Sequence, residues 1–439
     1  MQIDIPKIDL KRVVIIGGGF AGLELAKALD KKKFQVVLVD KNNYHVFQPL
    51  LYQVATSAIG SESIAFPIRD IFKGVQNFYF RLAEVNSINP EHKTIFTNIG
   101  DLEYDYLVIA TGAITNYFNM EGLILRSMPM KSIPEALDLR SLILQNFEQA
   151  LGITNQRKKQ AYMNFVIAGA GPTGVELAGA LGEMKKHVLP KDYPELDFSK
   201  MNIYLIQSGD RVLPAFSKIS SEKTKKYLEQ LEVEVVLHTR VTDYFGDFVQ
   251  TDTGREIFAR TLIWTTGVRG VTVNGISKDV ISKSNRIKVN EFNEVLNHQN
   301  IFAIGDCAAM ESTEFPMGHP QVAPAGMQQG LHLAKNLNQL MIGKAFVPFK
   351  YTDKGMMATV GKNKAVVEVG KMKLGGAFAW YIWMFVHLFS LAGFNNRVFV
   401  FINWVRNYFS SERGLRIILE QFDRKAAKNE RKKEMEKDL

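Results

Sequence analysis

The chain has a single cysteine, Cys307, in 439 residues. One thiol excludes an intramolecular disulfide and any CxxC or CxxxxC redox pair, and it suits a reducing compartment. No grouping of His, Cys, Asp and Glu has metal-ligand spacing, so no metal is implied. His319, His332 and His387 stand alone and read as structural. The first ten residues hold Asp4 and Asp9 and no apolar stretch of the secretory kind. The net charge of +9 is modest, its basic residues are dispersed, and no nucleic-acid motif occurs, so no nucleic-acid partner is expected. Charge is also absent from Leu374 to Asn396, which contains no Lys, Arg, Asp or Glu.

Glycine, by contrast, is placed with purpose. The run VVIIGGGFAGLE from Val13 puts Gly17, Gly19 and Gly22 in a GxGxxG pattern, and FVIAGAGPTGVE from Phe165 repeats it with Gly169, Gly171 and Gly174. Each run follows a strand-like apolar stretch and opens a helix, the context in which such loops bind dinucleotides. One glycine makes the turn, one admits the pyrophosphate to backbone N–H groups, and one lets helix pack on strand. Two such sites imply two nucleotides and electron transfer between them.

Strands are expected at 12–16, 35–39, 106–110, 163–168, 202–206 and 261–265, with helices at 20–30, 174–186 and from Pro134 to about Gly152. Residues 299–310 read as strand, turn and helix start, and 186–200 as a loop. The fold class is therefore α/β, with two Rossmann-like dinucleotide-binding domains, one inserted in the other, plus a C-terminal membrane-associating helical region. The boundaries expected are 1–135 and 285–345 for the first domain, 155–284 for the second and 346–439 for the C-terminal region with its tail. In that region Phe378, Trp380, Tyr381, Trp383, Phe385 and Phe389 precede an amphipathic stretch from Arg397 to Ser411. Gly375, Gly376, Gly393 and His387 weaken a membrane span, so an interfacial anchor is favoured over a buried or dimer contact and over a span. The tail from Arg424 to Leu439 reads as a solvated helix.

These residues resemble a family. The stretches NYHVFQPLLYQVAT from Asn43, YLVIATG from Tyr106, WTTG from Trp264, FAIGDC from Phe302 and DKGMMA from Asp353 are similar to type II NAD(P)H:quinone oxidoreductases. The resemblance covers about residues 11–410. It implies a single-subunit, non-proton-pumping flavoenzyme that passes hydride from NADH or NADPH to FAD, and then two electrons to a membrane quinone in a respiratory chain. It also implies a homodimer held peripherally on the cytoplasmic face of the inner membrane.

By this resemblance FAD is bound by Gly17, Gly19, Gly22, Asp40, Gln53, Thr111, Gly112 and Asp306. NAD(P)H is bound by Gly169, Gly171, Gly174, Glu176, Gln207, Arg211 and Gly267, with Glu176 near both rings as the catalytic candidate. A carboxylate favoured by the helix N-terminus is the plainer reading of Glu176. Gln207 stands where an NADH-specific relative carries an acid, so NADPH is expected to be tolerated. The quinone motif AQxAxQ reads Ala323, Pro324, Ala325, Gly326, Met327, Gln328 here, which leaves Ala323, Gln328 and Gln329 as quinone candidates. The substitutions Pro324 and Gly326 keep one alternative open: an NAD(P)H-binding redox sensor, or an oxidoreductase with a non-quinone acceptor.

Overall fold

The computed structural model describes residues 2–391, 394–410, 415–418 and 420–437. Gly393, Ser411 and the last two residues of the tail lie outside them. The chain forms two compact units. The first holds residues 1–46, 65–114 and 268–354; the second holds 47–64, 115–267 and 355–439.

The first unit is built on a five-stranded parallel sheet in the order Ile301–Ala303, Tyr106–Ile109, Lys11–Ile16, Phe34–Asp40, Phe78–Leu82. Its strands are apolar on both faces, as a sheet covered on both sides requires. Val13, Ile15, Val36, Leu38, Val108 and Phe302 pack toward the helices Phe20–Ala28 and Ala323–Leu340. Their neighbours Val14, Ile16, Val37, Val39, Leu107 and Ile109 fill a second core on the other face. Each such buried side chain contributes about 1.5–3 kcal/mol relative to exposure. The helix expected to begin near residue 308 does not: a 3-10 turn, Gly305–Cys307, leads into a two-residue strand, and the helix starts only at Ala323.

The second unit repeats the parallel plan with four strands ordered Val233–Val236, Ile203–Ile206, Phe165–Ala168, Thr261–Trp264. Its long helix Ile133–Leu151 begins with a capping box between Ser132 and Glu135, with Pro134 in the first turn. The stretch 186–200 is mostly loop, but holds the short helix Leu189–Asp192 and a 3-10 turn at Phe198–Lys200. An antiparallel sheet of Met356–Thr359, Ala365–Val369 and Met372–Gly376 then leads into the aromatic helix Ala377–Ser390. Gly376 turns the chain with φ +81°, a value that favours glycine.

The fingerprint helix of this unit, Pro172–His187, meets the first of these hairpins at a glycine. A Cβ on Gly179 would stand 2.8 Å from Gly361 N and 3.1 Å from the Val360 backbone. That close approach sets the turn at residues 359–361 directly on the helix.

The tail is a helix, Arg424–Lys437, but it is docked rather than simply solvated. Arg431 Nη1 donates to the carbonyls of Ile124 at 3.1 Å and Ser127 at 2.6 Å, at the C-terminal end of the helix Glu121–Arg126. Cations favour that end of a helix dipole. Arg424 donates to the Arg260 carbonyl and, at 3.4 Å, to the Tyr244 hydroxyl. Sequence composition alone gave no hint of these acceptors.

Replacing Gly179 with Val puts methyl groups where the turn backbone lies. We expect a loss of about 1–3 kcal/mol in denaturant unfolding, the range for overpacking a tight contact. A wild-type unfolding curve would contradict the close approach.

Candidate active site

In the first unit, Gly17 has φ +105° and a Cβ there would collide with the Ala110 carbonyl. A Cβ on Gly22 would strike the Gly17 carbonyl, while Gly19 faces open space. These are the turn, packing and ligand-facing positions of a dinucleotide loop. Asp40, at the end of its strand, accepts from Gly18 N at 2.6 Å and Asn42 N at 2.7 Å. Burial pushes its pKa up, and those two N–H donors oppose the shift. Thr111 Oγ1 donates to the Val271 carbonyl at 2.5 Å, and Gly112, with φ +73°, borders open space. The Asp306 carbonyl accepts from Gln321 Nε2 at 2.9 Å. Gly17, Gly19, Gly22, Asp40, Thr111, Gly112 and Asp306 thus share one unit. Gly19 leaves a side-chain-free edge among them, the kind of edge a pyrophosphate needs for close backbone approach.

Three supports of this site escaped the sequence reading. His45 is buried, and its Nδ1 donates to the Gly18 carbonyl at 2.9 Å while Phe20 packs edge-on against its ring. Burial holds the imidazole pKa below its ordinary value, so the ring braces the loop without adding charge. Arg286, also buried, donates to the carbonyls of Met317 and His319 at 2.9 Å each. The third is Gln321. Cys307 is fully buried, and burial raises its thiol pKa, which makes it a core residue beside the site.

Of the quinone candidates, Gln328 donates from Nε2 to the Pro324 and Thr352 carbonyls and accepts from Thr352 N at 3.0 Å. Gln329 is buried and accepts from Gly305 N at 2.7 Å. Both amides are engaged with backbone. Ala323 and Pro324 open the helix, where proline is tolerated. A Cβ on Gly326 would lie 3.3 Å from Ala21 Cβ and Gly305 Cα, so its departure from the alanine of the motif has a packing reason.

In the second unit Gly169 (φ +101°) and Gly174 repeat the turn and packing roles, and Gly171 is open. Gln207 accepts at Oε1 from Ala170 N at 3.0 Å, inside the fingerprint. Arg211 donates to the Pro214 carbonyl at 3.1 Å. Gly267, with φ +73°, lies under the Phe118 ring.

Glu176 sits beyond the first helical turn, and it is buried at 8% exposure. Its carboxyl Oε1 accepts a long hydrogen bond from Thr359 N at 3.5 Å. Burial drives its pKa up to about 8, against weaker opposition from Thr359 N–H and the Trp383 indole. The helix N-terminus does not explain this residue; desolvation dominates it.

A cavity of about 140 Å³ lies within the same unit, lined by Tyr52, Gln53, Thr359, Trp383, Trp404 and Tyr408 among others. Gln53 belongs to this unit, where its Oε1 accepts from Trp404 Nε1 at 2.8 Å and its Nε2 donates to the Tyr52 hydroxyl at 3.0 Å. Trp383 stacks on His387 at 4.1 Å between ring centroids, and His387 Nδ1 donates to the Trp383 carbonyl at 2.8 Å. Burial lowers the His387 pKa to about 4 and keeps that ring neutral.

The aromatic helix divides cleanly. Ala379, Trp383 and His387 are buried, whereas Phe378, Tyr381, Phe385 and Phe389 are 54–66% exposed. In the following helix, Phe394–Ser410, Val400 and Trp404 are buried and Asn396 Nδ2 donates inward to the Glu62 carbonyl. Phe399, Phe401, Ile402 and Phe409 point outward, at 49–82% exposure. Among the described residues no helix is long and apolar enough to cross a membrane.

Residues 11–330 match the pyridine nucleotide-disulphide oxidoreductase family, and residues 354–412 match the NDH2 C-terminal domain. A type II NADH:quinone oxidoreductase of Mycobacterium tuberculosis is 34% identical over 427 residues, covering 93% of this chain and 90% of that protein. The chain belongs to the type II NADH:quinone oxidoreductase family. A member from Staphylococcus aureus is 28% identical over 381 residues, covering 85% of this chain and 93% of its own. The NDH2 structure from Plasmodium falciparum in complex with NADH superposes with a TM-score of 0.84 at 21% identity, over 93% of this chain and all of that one, and shows the shared fold. The sulfide:quinone oxidoreductase of Aquifex aeolicus has the same fold at a TM-score of 0.70 and 22% identity. This type II oxidoreductase is a single-chain flavoenzyme, an NADH dehydrogenase with FAD as its cofactor and a quinone as its acceptor.

The buried carboxyl gives a pH prediction. Because the folded pKa of Glu176 lies above the ordinary 4.5, the folded state holds a proton that the unfolded state has lost between about 4.5 and 8. Stability from this group therefore falls as pH rises through that window. Glu176→Gln removes the fall, so its thermal midpoint is expected to gain on wild type between pH 5 and pH 8. Parallel curves would contradict the raised value.

Proposed function

We propose a division of labour within NADH + H⁺ + quinone → NAD⁺ + quinol. FAD, when bound at Gly17, Gly19, Gly22, Asp40, Thr111, Gly112 and Asp306, supplies the ring that accepts hydride and passes the electron pair on. The second fingerprint and Gly267 hold the nicotinamide nucleotide. Hydride transfer needs alignment and exclusion of water more than an acid or base, so the glycines act by admitting close approach. The quinone headgroup occupies the aromatic cavity whose wall is formed by the adjoining Trp383 and Trp404 rings with Tyr408 and Gln53. Glu176, protonated at neutral pH, is the acid that serves it. The observation that carries this reading is the coincidence of a buried carboxyl, bonded through Thr359, with a cavity lined by that same Thr359 and by Trp383.

Nucleotide choice turns on Gln207. With Oε1 tied to Ala170 N, its Nε2 donors serve the sugar edge and no carboxylate repels a 2′-phosphate. NADPH is thus tolerated beside NADH. Gln207→Asp is expected to lower NADPH-driven turnover at least tenfold while sparing NADH-driven turnover; an unchanged ratio of the two donors would contradict it.

Membrane association at the quinone-bearing face follows from the outward phenylalanines. A stripe of Phe378, Tyr381, Phe385 and Phe389 matches a helix lying in the lipid interface. The face is read as cytoplasmic, because the donor is a cytoplasmic nucleotide, and the working unit as a homodimer. Replacing Phe378, Phe385 and Phe389 together with serine removes about 1.5–3 kcal/mol of burial apiece. Co-sedimentation of the flavin-loaded protein with liposomes should drop by tenfold or more, with NADH oxidation by a water-soluble quinone retained. Undiminished sedimentation would place the anchor elsewhere.

A further inference from the structure

Quinol formation draws one proton from solution per turnover, since NADH supplies one hydrogen and both electrons as hydride. Glu176 is buried, so that proton needs a route. The helix Pro172–His187 offers one. Glu176, Ala180, Glu183 and His187 lie at i, i+4, i+7 and i+11, on one stripe of its surface. Exposure rises along the stripe: Glu176 is buried, the Glu183 side chain is 17% exposed and the His187 side chain 54%. Ala180, Glu183 and His187 line the same cavity as Thr359 and Trp383, and Glu176 lies behind that wall, bonded to Thr359 N.

The polar atoms are held in place. Glu183 Oε1 accepts from Lys362 N at 3.1 Å, and Glu183 Oε2 stands 3.7 Å from His187 Nε2. Gly361, with φ +67°, a value that favours glycine, lies against the Glu183 carboxyl. Glu176 and Glu183 are seven residues apart, roughly 10 Å along the axis, too far for direct transfer. A cavity of about 140 Å³ has room for the several waters that would bridge them.

We propose that His187 and Glu183 form the proton-delivery path to the quinone, His187 collecting a proton from solvent and Glu183 passing it through cavity water to Glu176. This rests on the cavity being the quinone site. A histidine ring has two nitrogens that can relay a proton, and a carboxylate can pass one on through a single water. Glu176, with its pKa pushed up to about 8, is loaded and ready to donate. Other ionisable groups face the path without completing it. Lys362 Nζ lies over the Tyr408 ring at 4.1 Å and donates to the Tyr408 carbonyl. Tyr52 bonds Gln53, His387 is buried behind Trp383, and Lys185 and Lys186 pair with Glu232.

The test uses flavin-loaded enzyme in lipid, with three readouts for His187→Asn and Glu183→Gln. These are the rate of flavin reduction by NADH without quinone, steady turnover with quinone, and the solvent deuterium isotope effect on that turnover. We expect turnover to fall three- to tenfold, the isotope effect to rise and the pH profile to shift, with the NADH half-reaction unchanged. Added imidazole should restore His187→Asn. Wild-type turnover and isotope effect overturn the path, as does a loss that slows the NADH half-reaction equally. His187 is exposed enough to replace without disturbing the core, so His187→Asn decides if Glu183→Gln does not fold. Trp404→Ala separates the two readings: an unchanged quinone KM overturns the cavity assignment and the path with it. A raised KM alongside wild-type isotope effects in the relay variants overturns the path alone.

Discussion

A carboxyl buried in a protein interior costs several kcal/mol if it stays charged, and it relieves that cost by keeping its proton. Glu176 is in this position, and much of the second unit follows from it. Thr359 N donates to it over a long 3.5 Å, and that donor is present because the turn at 359–361 rests on the fingerprint helix at Gly179. The same turn, with Trp383 and Trp404, walls the cavity. One close approach between helix and hairpin therefore bears on both the buried carboxyl and the shape of the cavity.

The C-terminal helices serve that arrangement from the other side. Each turns one narrow aromatic edge inward, Trp383 in the first and Trp404 in the second, and leaves its phenylalanines outside. In a soluble enzyme such an outward face would invite aggregation. Under the proposed interfacial anchoring, this outward face and the inward cavity wall belong to the same pair of helices. The inward polar contacts, Trp404 to Gln53 and Asn396 to the Glu62 carbonyl, fix the rotation of the second helix so that its apolar side stays outward.

Much of this was legible in the residues. The two glycine fingerprints, the apolar parallel strands and Asp40 at its strand end are local patterns with local causes, and their boundaries fall within a residue or two of those expected. What was not legible depends on contacts between distant positions. Gln53 and Trp404 meet across 351 residues. Gln328 and Gln329 look like ligand-facing amides, yet their partners Thr352 and Gly305 are known only from the fold. The tail composition says solvated helix, while Arg424 and Arg431 find backbone carbonyls that no periodicity announces. Glu176 itself was found by resemblance, but the reason for its raised pKa, burial under Thr359 and Trp383, required coordinates.

The central claim is that the aromatic cavity of the second unit receives the quinone. Photolabelling the membrane-bound, flavin-loaded enzyme with an azidoquinone, followed by peptide mapping, tests it directly. The account predicts label on the peptides carrying Tyr52, Trp383 and Trp404, reduced by excess unlabelled quinone. Competable label that avoids all three would contradict it.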